Sequence, residues 1–237
     1  MSSCKVVLTG GPCGGKTESL KIFRDQLIKS GKSVVSVEET ASSLLQLNYM
    51  PGTNISTFDF QNLLFKIQFL KEYFNENKTD IILCDRGLLD GKVYISDDDF
   101  QKLLFQNKVE EQNIASTYDV ALYFKSIAYE YPEDFTLKRI YETAEIGMIR
   151  DKKCKEIWKK KIIPYNYDNL KGFEEKKQSI YNSLITYLNN YKNSQSYNLS
   201  DYYSEEYIDF MLKGIENILS NNEVSNDIKI KTRRLIK

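Results

Sequence analysis

The chain has 237 residues, enough for one large domain or one domain with an appendage, and its 41% hydrophobic content is that of an ordinary globular protein. Lysine plus arginine equals aspartate plus glutamate, 33 each, which argues against a general nucleic-acid binder, and the absence of histidine removes His-based zinc sites and every Ser-His or Cys-His triad. The scattered cysteines Cys4, Cys13, Cys84 and Cys154 form no CxxC pair, no apolar run approaches the ~18 residues that span a bilayer, and the N-terminus lacks a signal-peptide core, so a reduced, cytoplasmic protein is expected.

Val6 to Leu8 reads as a short strand, followed by Gly10, four residues, Gly15, Lys16 and Thr17, and then by an amphipathic helix to about Ser30 that Gly31 ends as a left-handed cap. This is a phosphate-binding P-loop in its required strand-to-helix context. Glycines 10, 11, 14 and 15 let the backbone turn its N–H groups inward around polyphosphate, at the positive end of the helix. The nucleotide-contacting set is Gly10, Gly11, Pro12, Cys13, Gly14, Gly15, Lys16, Thr17 and Glu18, with Lys16 on the β- and γ-phosphates and the Thr17 hydroxyl on Mg²⁺.

Ser33 to Val37 is β-branched and forms a second strand that runs into Glu38, Glu39 and Thr40. Acidic residues at the C-terminal end of a parallel strand enter the ligand crevice of an open α/β sheet or stay as solvated loop charges, and both readings stand here. Phe58, Leu63, Leu64, Ile67, Leu70 and Phe74 make one face of a helix from about Thr57 to Glu76. Gln61 and Gln68, seven apart, share a neighbouring stripe that faces either a ligand or solvent. Ile81 to Cys84 is the third strand, closed by Asp85-Arg86-Gly87, and Asp85 behind a P-loop is the candidate for holding the Mg²⁺ hydration shell. Arg86 and Asp90 belong to the substrate side of that loop.

A short capped helix over Ser96 to Phe105 and a fourth strand over Val120 to Phe124 follow. Ser126 to Glu142 is polar and loop-like, placed to close over a triphosphate, and Arg139 or Arg150 is positioned either to stabilise charge on a transferred phosphoryl group or on an outer helix face. A helix from about Tyr141 to Lys161 carries Trp158 as a packing residue, and Ile162 to Tyr167 is expected as a fifth strand ending at Asp168-Asn169. Phe173 to Tyr191 is helical, the link from Lys192 to Tyr203 marks a boundary between a core domain of residues 1–191 and an extension of residues 192–237, and a further helix covers about Ser204 to Asn221. The last stretch, DIKIKTRRLIK, reads as a frayed basic tail, an edge strand over Ile228 to Leu235, or a contact for acidic lipid headgroups.

Strands alternating with helices give an α/β class, a parallel five-stranded sheet flanked by helices in a three-layer sandwich of the nucleoside- and nucleotide-kinase kind. VVLTGGPCGGKT, CDRGLLDGKVY, then Arg139, Glu142, Asp151 and Trp158 at their spacings, and DNLKGFEEK together resemble the P-loop family that groups ribosylnicotinamide kinase domains with an insect photoreceptor GTP-binding protein involved in channel trafficking. The resemblance covers roughly Cys4 to Leu188 and implies phosphate contacts from Gly10 to Thr17, a metal-associated Asp85 and substrate-pocket roles near Glu39, Arg86 and Asp90. The chain departs from the family pattern at Lys159 to Ile163, where a histidine is usual, and at Gly147, where an alanine is usual.

Two functions compete at this point. The first is a kinase with ATP or GTP and Mg²⁺ in the P-loop, transferring the γ-phosphoryl group to a small nucleoside-like or other small-molecule acceptor held near Glu38, Glu39 and Arg86, with Glu39 as the base because a buried Val37 turns the second glutamate inward. The catalytic set on this reading is Lys16, Glu39, Arg86 and Arg139. The second is a nucleotide switch with slow hydrolysis and a protein or membrane-lipid partner reached through the basic tail; no NKxD guanine motif is present.

Overall fold

β1 (Cys4–Thr9) is buried along its whole length and forms the centre of a parallel sheet with β2 (Val34–Val37), β3 (Ile81–Asp85) and β4 (Val120–Tyr123), in the order β2-β3-β1-β4. The computed structural model describes residues 3–138, 142–165, 172–191, 197–222 and 224–236. Parallel strands must be covered on both faces, and the alternation along β1 does this. Cys4, Val6 and Leu8 pack with Leu20, Phe23 and Leu27 of α1 (Lys16–Lys29) and with Ile180 and Leu184 of α8 (Phe173–Asn190). Val7 faces the other way, toward α2 (Thr40–Gln46) and α3 (Thr57–Asn75) through Leu44 and Leu63. The same layer holds α4 (Asp97–Gln106) and α5 (Glu111–Ser116) through Phe100 and Ile114, and α7 (Ala144–Trp158) joins it through Trp158, with α6 (Pro132–Lys138) packed on α7.

The expected helix starts hold where a polar residue caps the first turn. Ser56 accepts the Asp59 N–H at 2.9 Å and Ser96 accepts that of Asp99 at 3.1 Å. At the other end of α1, Gly31 takes φ 88° and its N–H reaches the Ile28 carbonyl at 2.9 Å, the left-handed exit expected from the sequence.

Four strands are found among the described residues rather than five. Ile162 makes only an isolated parallel bridge to Ala121, through the Ala121 N–H to Lys161 at 2.8 Å and the Ile163 N–H back to Ala121 at 3.2 Å. Pro164 follows at once and has no N–H to extend the ladder, while the Tyr165 hydroxyl donates to the Tyr123 carbonyl at 2.6 Å. Asp168-Asn169 lie outside the described residues. The stretch after β4 is also more ordered than a loop, with a 3₁₀ turn at Ile127–Tyr129 and α6 behind it. Gly147 of α7 has a local reason: a Cβ there would lie 2.5 Å from Cζ of the buried Phe135 on α6.

The C-terminal segment packs on the main body. Leu199, and Met211 and Ile215 of α9 (Glu205–Asn221), share one core with Leu63 and Phe69 of α3. Glu76, at the end of α3, accepts the Leu199 and Ser200 N–H groups at 2.7 and 3.2 Å while pairing with buried Lys5 of β1 at 2.9 Å. The basic stretch is neither a frayed tail nor an edge strand but a helix, α10 (Asn226–Arg234), capped by Ser225. Its Thr232 is fully buried and meets the Tyr49 hydroxyl at 2.8 Å, which anchors the turn. Arg233 and Lys231 pair with Glu216 and Asp227. No helix among the described residues is long and apolar enough to cross a membrane.

Candidate active site at the C-terminal edge of the sheet

The P-loop leaves β1 at Gly10, whose φ of 127° and whose closeness to Phe124 exclude a side chain: a Cβ there would stand 2.1 Å from the Phe124 carbonyl oxygen. At the far end Gly15, φ 87°, lies under the ring of Phe173, the first residue of α8. Lys16 is buried and its ammonium donates to the Gly11 carbonyl at 2.7 Å and the Gly10 carbonyl at 3.2 Å, folded back over the loop that is to receive phosphate. Burial and the nearby Arg86 guanidinium bring its pKa down to about 8, against the opposing pull of Asp85.

Asp85 ends β3 opposite Leu8 and accepts the Thr17 hydroxyl on Oδ2 at 2.6 Å. Its Oδ1 is buried and has no hydrogen-bond partner among the described residues, and burial raises its pKa against the opposing pull of Lys16 and Arg86. An orphaned carboxylate oxygen beside a P-loop threonine fits a Mg²⁺ site in which phosphate and water supply the remaining oxygens. Among the described residues no group of three or more metal-ligating side chains exists, as such a site requires none.

Arg86 sits in the left-handed region, φ 71°, an uncommon and costly conformation for an arginine. The turn aims its guanidinium back across the crevice: Nε pairs with Glu39 at 2.9 Å, Nη1 donates to the Gly10 carbonyl at 3.4 Å, and the group lies 5.6 Å over the Tyr94 ring. Burial works to raise the Glu39 pKa, but Arg86 and the hydrogen bond from Ser42 outweigh it and hold the carboxyl below its ordinary range. Glu38 points to solvent, so the two neighbouring glutamates separate as a strand exit separates them.

Asp90 is 2% exposed and already engaged, accepting Thr9 Oγ1 at 2.8 Å, the Gly87 N–H at 2.7 Å and Trp158 Nε1 at 3.3 Å. It shapes the loop that carries Arg86, and Trp158 is a hydrogen-bonding partner as well as a packing residue. Arg150 pairs with Glu142 and lies 4.9 Å from the centre of the same Tyr94 ring. Arg139 lies outside the described residues. Glu18 is exposed and pairs with Lys177 at 3.6 Å, Pro12 accepts the Ser126 hydroxyl at 2.7 Å, and Cys13 takes φ 56° in the loop.

Two cavities flank the P-loop. One of about 330 Å³ is lined by Glu39, Thr40, Phe60, Gln61, Arg86 and Tyr94, with Asp85 and Arg150 on its wall. The other, about 600 Å³, lies beside Lys125, Ser126, Asp151, Phe173 and Lys176. Asp151 is the residue that sequence reasoning missed as a support. From α7 its Oδ1 accepts the Gly11 N–H at 2.6 Å and the Ser126 N–H at 3.1 Å, and Tyr123 donates to Oδ2, all in a 1% exposed position. The available signal was Gly147, Asp151, Cys154 and Trp158, a buried stripe at helical spacing with one carboxylate in it.

The family model of the AAA domain matches residues 5–176, well over half of the chain, including the P-loop, α7 and all of the sheet but Cys4. No curated protein matches the chain.

Proposed function

The chain belongs to the AAA domain family, a P-loop NTPase-type domain that binds nucleotide, and from that premise we propose that it is a kinase moving the γ-phosphoryl group of ATP or GTP to a small hydroxyl-bearing acceptor. The observation that carries this reading is the 330 Å³ cavity, whose wall includes Asp85 of the P-loop side and the Glu39–Arg86 pair of the substrate side. A pocket of that size suits a small molecule, and a nucleotide switch has no use for one there. The motif resemblance to ribosylnicotinamide kinase domains supports the same reading.

Thr17 and Asp85 would hold Mg²⁺, which supplies charge neutralisation on the phosphate oxygens when bound. Lys16 leaves the Gly10 and Gly11 carbonyls for the β- and γ-phosphates. Glu39, ionised because Arg86 and Ser42 hold it so, orients the acceptor hydroxyl and takes its proton as the phosphoryl group arrives. Its low basicity is no obstacle, since a loose phosphoryl-transfer transition state asks for positioning more than for a strong base. Arg86 is placed to stabilise charge between donor and acceptor, and Arg139 is proposed for the same role. Residues 192–237 act on this reading as a helical extension of a domain over residues 1–191.

The test is product formation from ATP and from GTP with Mg²⁺ over a panel of hydroxyl-bearing acceptors. Transfer to one acceptor far above the hydrolysis background supports the kinase; hydrolysis alone across the panel favours the switch.

A further inference from the structure

Arg86 holds a left-handed backbone, φ 71°, and a non-glycine residue stays there only where its surroundings fix the turn. Two of the fixing bonds are local: the Arg86 N–H donates to the Leu8 carbonyl at 3.0 Å and the Gly87 N–H to Asp90 at 2.7 Å. Two others come from further away. The Arg86 carbonyl accepts Gln68 Nε2 of α3 at 3.3 Å, and the Leu88 N–H donates to the hydroxyl of Tyr118, just ahead of β4, at 2.8 Å. Gln68 and Tyr118 stand on different elements, yet both donate to one carboxylate, that of Glu72 on α3, each at 2.8 Å.

Glu72 is fully buried, and Lys5 of β1 lies 3.3 Å from its Oε2. Burial raises its pKa, while Lys5, Gln68 and Tyr118 all pull the other way, as donors to a charged oxygen do. An ionised carboxylate only accepts, so it decides how its neighbours lie. The Gln68 carboxamide must turn its NH₂ to Glu72 and the Arg86 carbonyl, which leaves Oε1 for the Thr40 hydroxyl at 2.6 Å. Thr40 follows Glu39 in the chain, so this one glutamine joins the backbone at Arg86 to the residue beside Glu39, the two members of the 2.9 Å pair. Tyr118 likewise gives its proton to Glu72 and keeps its lone pairs for Leu88.

Resting on the kinase reading above, we propose that Glu72 is a positioning residue for phosphoryl transfer: through Gln68 and Tyr118 it holds both ends of the turn from Arg86 to Leu88 and so sets the guanidinium against Glu39. Glu72 touches no reacting group and acts through the turn alone.

Three variants separate this role from general stability. Glu72→Gln keeps the volume but brings an NH₂ to a place where only acceptors fit, against either Lys5 or the Gln68 carboxamide. Tyr118→Phe removes one arm and keeps the ring that meets Trp158 edge-on at 4.9 Å. Glu76→Gln is the control, since it takes the other carboxylate from Lys5, 2.9 Å away, and makes no hydrogen bond to the turn among the described residues.

The first readout is the Arg86 Nε–H signal in ¹⁵N spectra of the full chain, held by Glu39 at 2.9 Å and identified by its loss in Arg86→Gly, a residue that accepts this backbone without strain. Its exchange with water is expected to quicken by roughly tenfold or more in Glu72→Gln and Tyr118→Phe and to stay within about twofold in Glu76→Gln. The second is transfer to an acceptor phosphorylated by the parent. In Glu72→Gln and Tyr118→Phe kcat falls by roughly tenfold or more while ATP affinity, which also reports folding, stays within about twofold. On an Arg86→Gly background Tyr118→Phe adds less than about twofold.

Unchanged exchange and kcat in Tyr118→Phe, full additivity with Arg86→Gly, or Glu76→Gln matching Glu72→Gln in both readouts overturns the assignment. Should Glu72→Gln fail to fold, Tyr118→Phe decides alone. A parent that phosphorylates no acceptor contradicts the kinase reading, and the Nε–H exchange then decides by itself whether Glu72 holds Arg86. Robust transfer that ignores Tyr118 and Glu72 contradicts this inference alone.

Discussion

Thr17 donates its hydroxyl to Asp85 across 2.6 Å, so the first turn of α1 and the end of β3 meet at one bond between a P-loop residue and a strand-end carboxylate. The meeting follows from register, since Leu8 pairs with Asp85 and puts both strand ends at the same level. Asp85→Asn removes the charge and leaves the shape. It should weaken the Mg²⁺ dependence of nucleotide binding or turnover more than it weakens metal-free nucleotide binding. Identical Mg²⁺ titrations for variant and parent would return Asp85 to the status of a turn residue.

Lys16→Ala takes away the cation placed for the β- and γ-phosphates and should lower nucleotide affinity by an order of magnitude or more, about 1.5–3 kcal/mol of charge-assisted hydrogen bonding. In the parent protein burial and Arg86 bring this lysine to about 8, so its charge is complete below that pH and declines above it. Nucleotide affinity, followed by calorimetry across pH, should thus fall as pH rises past about 8 and be level below it.

Asp151 touches no reacting group, and its effect runs through the backbone of the P-loop. Asp151→Ala leaves the Gly11 and Ser126 N–H groups without their partner and should weaken nucleotide binding by roughly tenfold, one to two hydrogen bonds in a buried setting. Asp151→Asn keeps an acceptor and should recover part of the loss. Faster amide exchange at Gly11, with β1 still protected, distinguishes loosening of the loop from general unfolding.

Lys66 is buried between α3 and α9, held by Asn107 and 3.8 Å from the Met211 sulfur, with no carboxylate against it among the described residues. Burial lowers its pKa to about 8. The unfolded chain then binds more protons between that value and the ordinary lysine range, so stability rises with pH through this window and carries a constant penalty below it. Lys66→Met should raise Tm near neutral pH, and its advantage over the parent should shrink as pH rises toward about 10.5. A gap independent of pH would show that the ammonium is not desolvated.

Much of this architecture was legible because local rules acted alone. Glycine spacing between a β-branched strand and a helix defines a P-loop, and Ser96 and Gly31 mark helix ends through chemistry confined to a few residues. The strand exit at Val37 separated Glu38 from Glu39 for the same reason. What escaped depended on tertiary partners. The stretch after Ile162 carries strand-forming residues, but Pro164 stops the ladder after one bridge. The basic C-terminal stretch alternates like a strand, yet Ser225 caps it and Tyr49 receives Thr232, a partner 183 residues away. Arg86 was identified as a site residue, while its left-handed backbone and its grip on Glu39 exist only in the fold.

The central claim is that Glu39 serves the acceptor and not the triphosphate, and the measurement is phosphoryl transfer and triphosphate affinity taken together on Glu39→Gln. The substitution keeps the shape and the contact with Arg86 but loses the ionised oxygen. Transfer to an acceptor phosphorylated by the parent should fall by roughly 10²-fold or more while triphosphate affinity stays within about twofold. Transfer that survives intact, or triphosphate affinity that collapses with it, would contradict the account.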